Sequence, residues 1–460
     1  MPATSYARFA AALRGQHLRD EILHHARRCL IDWYAATLPG SVLAPATALR
    51  EALAEEVGGG PSRLLPDGLA AGTRAAALIN GAASHTVEFD DIYRGALYHP
   101  GSPVIAAALA VAERERASGL VLLQAIVAGY EVSNRIGAAV NPAHYAFWHT
   151  TGTVGCFGAA AAAGCVLGLD ATRMAHALNA VASMAAGLQQ AFRCDAMIKP
   201  LHAARAAEAG VLVALGARHG VSGGERMLDG ERGFGNAMSR DVDWDKAVAG
   251  LGQEWTITRT TQKNHGCCGH TFAALDAVIA LRAAHALTPE QVSRIRVGTY
   301  APALEICGDF DPRTGYEGKF SLPYCVAVAL EEARVRLDAF DEAHLRDPVI
   351  RALMTRVELV VDDACQAVFP AQRSARVVIE TRDGRVLEHH APTRKGDPDA
   401  PLSDAELVDK YRELSAPVLG AGAAETLLDA LWRVDVLDDV AELPLAPAQP
   451  APRAAGSARG

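Results

Sequence analysis

Three familiar ligand-binding signatures are missing from this 460-residue chain. It has no glycine-rich dinucleotide fingerprint after a strand, no phosphate-cradling loop ending in Gly-Lys-Ser/Thr, and no serine elbow between a strand and a helix. Nucleotide cofactors and serine-nucleophile hydrolysis therefore lack their usual supports. No Cys-x-x-Cys pair occurs, and most of the nine cysteines lie inside apolar runs, where the thiol behaves as a small buried hydrophobe. A reduced, cytoplasmic chain without a disulfide framework is the expectation. The longest apolar runs are rich in Ala and Gly and broken by polar residues. The N-terminus, Met1-Pro2-Ala3-Thr4-Ser5-Tyr6-Ala7-Arg8, has no basic stretch leading into an apolar core, so neither export nor membrane insertion is expected. Positive charge is in the minority. The formal net charge of -9 gives no global attraction to nucleic acid or to an anionic membrane. An anionic substrate would have to be held by local positive charge.

What is present is an apolar, helix-forming chain, 50% hydrophobic and 21% charged, long enough to bury two or three cores. Up to about Leu251 it reads as helix after helix: Arg19 to Ala36, Thr73 to Phe89, Pro103 to Ser118, Leu120 to Gly137, Thr153 to Leu167 and Ala171 to Leu188. Stop signals separate them at Gly119, Asn141-Pro142 and Gly168-Leu169-Asp170. Strand-like segments then appear at Arg294–Tyr300, Val357–Val361 and Ala375–Thr381. The last leads through Asp383-Gly384 into Val386–His390 as a hairpin. Helical patterning returns at Ser403-Asp404-Ala405-Glu406, a capping box, and runs to about Val440.

The expected fold class is mainly α. A large all-helical domain is built from both chain ends, residues 1–255 and 396–442, with a smaller α+β domain at 256–395 and a disordered tail at 443–460.

Three histidines stand just before alanine-rich runs: His99 in Tyr98-His99-Pro100-Gly101, His149 in Trp148-His149-Thr150-Thr151-Gly152, and His265 in the segment from His265 to Thr271. Helix starts offer unpaired N–H groups and partial positive charge, so proton-transfer groups placed there suit an anionic, carboxylate substrate. The densest polar cluster holds His85, Glu88, Asp90, Asp91, Tyr93, Arg94 and His99. Its carboxylates could orient an imidazole, tune its pKa or bind a metal, or simply form a solvated helix end.

His149 follows Tyr145, Phe147 and Trp148, an aromatic wall that would keep a general base neutral. The alternative is a core histidine satisfied by a carbonyl. Lys199, just before a helix start at Pro200, with His202 on the first turn, reads as a carboxylate clamp or as part of a solvated basic face. Lys263, His265, Cys267, Cys268 and His270 imitate a metal site, but adjacent cysteines do not readily share one tetrahedral ion, so acid–base chemistry or loop packing is favoured. Tyr324 brings a phenol near the start of an apolar helix, as a proton donor or an ordinary buried tyrosine.

These blocks resemble the MmgE/PrpD family, which includes 2-methylcitrate dehydratase, cis-aconitate decarboxylase and iminodisuccinate epimerase. The matching segments are Asn80–His85 with Phe89-Asp90-Asp91 and His99-Pro100-Gly101, Gly129-Tyr130-Glu131 with His149, and Lys199-Pro200-Leu201-His202. They continue through Asp229-Gly230, Lys263 with Cys267-Cys268, and Lys319–Tyr324. The resemblance implies a helical domain with a smaller lid domain, a site between them, a homodimer, and catalysis without metal or organic cofactor. It also implies roles for Asp90, Asp91, His99, His149, Lys199, Lys263 and Tyr324. Two positions depart from the decarboxylase-like pattern: Glu88 stands at an aspartate position, and Cys268 at a histidine position.

The resulting expectation is a cofactor-free lyase, 2-methylcitrate dehydratase-like, that moves a proton α to a carboxylate of a small di- or tricarboxylate. In it His149 is the base, His99, Lys199 and Tyr324 are catalytic partners, and Asp90 or Asp91 orients His99. Lys263, His202, His265, Cys268, His270 and Glu88 contact substrate. An epimerase, a decarboxylase and a catalytically silent carboxylate-binding protein are the alternatives.

Overall fold

The computed structural model describes residues 1–193 and 196–446 and is mainly α-helical. It divides into two compact units, one formed by Met1–Thr261 with the segment from Ser403 onward, the other by Gln262–Leu402.

The first unit opens with α1 (Pro2–Leu13) and α2 (Asp20–Ser41). A two-stranded antiparallel ribbon follows, β1 (Val57–Arg63) with β2 (Ala70–Ala71), which the sequence reading does not anticipate in so glycine-rich a stretch. Next come α3 (Thr73–Ser84), α4 (Gly101–Glu115), α5 (Gly119–Val140), the one-turn helix Thr150–Thr153, α6 (Gly155–Val166), α7 (Ala171–Ala182) and α8 (Ile198–Arg218). Every residue of α6 is buried, and the helix packs on α4, α5 and α8. Small residues make this possible. A Cβ on Gly129 would come within 2.4 Å of Val104, and one on Gly210 within 2.4 Å of Ala159. Close-packed interiors leave no room for such additions, so helix separation is set by glycine and alanine rather than by one apolar stripe.

Two expected helices end early. The α3 helix stops at Ser84, with His85 as its C-cap, instead of running to Phe89. The α7 helix stops at Ala182, and Leu188 instead makes an extended bridge to Trp148. After α3 a polar segment turns inward with His85, Glu88, Asp90 and Asp91 buried, and after α7 the chain runs on through Gly187 at φ +140, neither of which apolar periodicity registers.

The second unit holds α9 (Phe272–His285), β3 (Val292–Thr299), α10 (Leu322–Glu332), β4 (Val357–Val361), β5 (Ala375–Thr381) and β6 (Val386–Ala391). The strands form one sheet in the order β4-β3-β5-β6. β3 is parallel to β4 and antiparallel to β5, and β5–β6 is the expected hairpin, with Gly384 at φ +88 in its turn. That left-handed backbone favours glycine. β5 alternates buried and half-buried residues, and its inward Val377 and Ile379 join Val278, Ile295 and Val326 in one apolar core.

The chain then returns to the first unit as α11 (Asp404–Leu419) and α12 (Ala421–Trp432). The Ser403–Glu406 capping box is formed. Gly420, at φ +81, divides what reads as one helical run. Leu443 is buried and its carbonyl accepts Arg63, while the expected tail beyond residue 446 lies outside the described residues. No described helix is long and apolar enough to cross a membrane.

Candidate active site

The first unit gathers four histidines. His85 follows α3, His99 precedes α4, His149 caps the one-turn helix at Thr150, and His202 lies in α8. Asp90 ties the first two together. Its Oδ2 accepts from His85 Nδ1 at 2.6 Å and from Ser102 Oγ at 2.9 Å, and His99 Nδ1 lies 3.2 Å away. Burial alone would raise the Asp90 pKa. The facing imidazoles of His85 and His99 outweigh it and hold the carboxylate well below its usual range.

Asp91, the other candidate for orienting His99, has a different task. Its Oδ1 accepts the Gly101 N–H at 2.9 Å and its Oδ2 accepts the Tyr130 hydroxyl at 2.6 Å. Burial, then the nearby charge of Asp32, pushes its pKa up to about 8, so it carries a proton at neutral pH. Asp91 anchors the first turn of α4 to α5.

His149 is buried and neutral. Burial first, then repulsion from any positive charge on His85, Lys199, His202 and His99, holds its pKa well below the ordinary histidine range. The wall around it is not the expected one. Phe147 is 69% exposed and Trp148 stacks on His144, whereas His149 meets the edge of Phe192 at 4.9 Å and stacks on His85 at 5.5 Å. Its Nδ1 lies 2.9 Å from His202 Nδ1. The His202 pKa is pushed down to about 4 by burial, then by His85 and Lys199. Two neutral imidazoles facing Nδ1 to Nδ1 share one proton, and the ring that donates it keeps a bare Nε2.

Lys199 lies in the first turn of α8 and is buried rather than on a solvated face. Its ammonium pairs with Glu88 and sits 5.2 Å from the Phe192 ring centroid. Glu88 takes a left-handed backbone, φ 61, uncommon for a residue with a side chain. That turn of the chain directs a buried carboxylate to Lys199 while the next residues carry Asp90 to the histidines.

In the second unit the candidates spread along the loop before α9. His265 Nε2 is 3.0 Å from Asp276, and His270 Nδ1 is 2.9 Å from the Tyr300 hydroxyl. Burial, then Arg373 and Arg394, pushes the His270 pKa down to about 3. Cys268 is half-buried, with its N–H on the Lys319 carbonyl, and its thiol hydrogen-bonds that of Cys307. Lys263 is buried. The Tyr324 hydroxyl donates to the Ala339 carbonyl, so its proton is committed to the backbone.

The side chains of Cys267, Cys268 and His270 turn to different partners: Thr271, Cys307 and Tyr300. Among the described residues, the group whose ligand-type atoms all lie within 4.8 Å is His85, Asp90 and His99. Their contacts at 2.6 and 3.2 Å have hydrogen-bond lengths. The segment Gly220-Val221-Ser222-Gly223-Gly224 does spell a serine-elbow pattern. It follows α8 with no strand before it, and Ser222 is exposed.

Sequence reasoning assigned no role to His85, Ser102, Tyr130 or Phe192. His85 had one usable signal, its place in the polar cluster five residues before Asp90.

A helical unit with buried imidazoles sharing carboxylates and protons has the makings of acid–base chemistry. Its lineage is explicit: the MmgE/PrpD N-terminal domain matches residues 4–247 and the MmgE/PrpD C-terminal domain matches residues 265–435, so the chain belongs to the MmgE/PrpD family. It is similar to a cis-aconitate decarboxylase-like protein, oryM, of Aspergillus oryzae, 27% identical over 94% of each chain. It is also similar to the human cis-aconitate decarboxylase, 27% identical over 95% of this chain and 92% of that one. The cis-aconitate decarboxylase of Aspergillus terreus is 25% identical over 95% and 93%.

Proposed function

We propose that this chain is a lyase that removes a proton α to a carboxylate of a small di- or tricarboxylate, with a 2-methylcitrate dehydratase-like outcome. The observation that carries the reading is the contrast between two imidazoles. His149 is buried and neutral, whereas His99 faces an anionic Asp90, which favours its charged form. A dehydration needs one group of each kind. His149, donating Nδ1–H to His202, takes the α-proton on Nε2. The developing enolate charge falls beside the Lys199 ammonium. His99 then gives its proton to the departing hydroxyl, which leaves as water.

A second reading is favoured by the relatives, two of them cis-aconitate decarboxylases and one a cis-aconitate decarboxylase-like protein. The same groups serve it: carbon dioxide departs, and the carbanion left behind takes a proton from an imidazole.

The test is proton NMR in deuterated water with citrate, 2-methylcitrate, cis-aconitate and iminodisuccinate in turn, using wild type, His149→Ala and wild type dialysed against EDTA. One acid should exchange or convert, and the variant should lose about 100-fold or more in rate. Chelation should change nothing. A variant as fast as wild type removes His149 from the mechanism, and a loss restored by a divalent ion replaces acid–base with metal chemistry. Release of carbon dioxide selects the second reading.

A further inference from the structure

His85 is absent from the acid–base steps above, yet it is the side chain that touches both proton-transfer centres. Its ring is fully buried. Nδ1 donates to the same Asp90 oxygen that faces His99. Its ring meets His99 edge-on at 4.9 Å and lies nearly parallel to His149, at 5.5 Å and 17°. With Nδ1 committed to Asp90, Nε2 is a buried polar atom with no hydrogen-bond partner. Buried polar groups are almost always paired, so an orphan asks for a reason beyond packing. An apolar side chain would fill the space without that cost, but it would leave the Asp90 oxygen one donor short.

We infer that His85 is a positioning residue: it holds the Asp90 carboxylate in place for His99 and supports the ring face of His149, so one buried side chain sets both imidazoles. The inference rests on the acid–base reading and deepens it. Asp90 Oδ2 accepts from two donors, His85 Nδ1 and Ser102 Oγ, and His99 Nδ1 faces the same oxygen at 3.2 Å. Removing the buried donor concentrates the carboxylate's charge on His99. The charged or titratable groups around this centre are Asp90, His99 and His149, with Asp91, Asp32, His202, Lys199 and Glu88 beyond them.

Two substitutions separate positioning from filling. His85→Phe keeps a ring against His149 but removes the donor to Asp90, whereas His85→Asn keeps a donor near the Nδ1 position and gives up the ring. Histidine-selective 13C NMR, with peaks assigned by His99→Gln and His149→Ala, reads the imidazoles whether or not a substrate is known. In His85→Phe the His99 titration should move up by about one pH unit, while in His85→Asn it should stay near the wild-type value. Where a substrate turns over, His85→Phe should lower kcat about tenfold or more with KM within about twofold, and the alkaline limb of the pH profile should move up with His99. A folded His85→Phe with unchanged imidazole titrations and pH profile would overturn the inference. So would a His85→Asn that titrates like His85→Phe. If His149→Ala exchanges as fast as wild type while the His85→Phe shifts appear, the lyase reading fails and the positioning role survives. Should His85→Phe not fold, His85→Asn compared with Ser102→Ala, which removes a different Asp90 donor, decides. Equal His99 shifts in those two variants would sink a special role for His85.

Discussion

At the scale of residues, adjacent aspartates have opposite lives. Asp90 is ionised among imidazoles, and Asp91 is protonated against Tyr130 and Gly101. The sequence shows two carboxylates beside one histidine and offers no means of ranking them, because the difference lies in which way each side chain leaves the loop. The Asp91 pKa of about 8 has a thermodynamic consequence. Unfolded, the group titrates near its ordinary value of roughly 3.9. Between about pH 4 and 8 the folded state therefore holds a proton that the unfolded state has lost, and the Asp91 contribution to stability, fully present below pH 4, falls as pH rises. Asp91→Asn keeps an acceptor for Gly101 and removes this dependence. The melting temperature of the variant minus that of wild type should grow more favourable from pH 5 to pH 8. A difference constant across that range would show that Asp91 is ionised in the folded protein.

At the scale of elements, existence was more legible than extent. The hairpin at Asp383-Gly384 and the Ser403 capping box were readable because each depends on chemistry within a few residues. The ends of α3 and α7 were not, because their last turns are decided by where His85 and Leu188 find partners. The start of α4 sits between these cases. Pro100-Gly101-Ser102-Pro103 announces a helix, but the need for glycine at 101 comes from across the fold. A Cβ there would lie 2.9 Å from both the Asp91 carboxyl and the Tyr130 hydroxyl. Gly101→Ala should therefore cost about 1–3 kcal/mol through forced displacement. It should also move the N-terminus of α4, which His99 precedes by two residues. A lowered melting temperature together with a perturbed His99 NMR signal is the expected result, and an unchanged melting temperature would mean that α4 yields without cost.

At the scale of the whole chain, the helical unit is discontinuous in sequence, and its two segments meet at a buried charge pair. Lys410 of α11 donates to Asp32 of α2 at 2.6 Å and to the Phe89 carbonyl at 2.9 Å, bridging sequence separations of 378 and 321 residues. No local pattern in the sequence announces this link, since it needs three distant segments in place at once. Phe89 stands between Glu88 and Asp90, so the C-terminal segment reaches the loop that feeds both Lys199 and the histidine cluster. Burial raises the Asp32 pKa, and the Lys410 charge pulls it back. Lys410→Met removes that compensation and leaves a buried carboxyl and a carbonyl without their donor. Truncating one member of a buried pair costs about 3 kcal/mol, more than an exposed pair ever contributes. Lys410→Met should thus lower the melting temperature and also lower turnover in the molecules that stay folded, because the Glu88–Asp90 loop loses its anchor. Lys410→Arg keeps the charge but overfills a closed site, so it should recover stability only in part. If Lys410→Met loses stability while the folded fraction turns over at the wild-type rate, the C-terminal segment supports the fold alone, and the histidine cluster is positioned from within the first 261 residues.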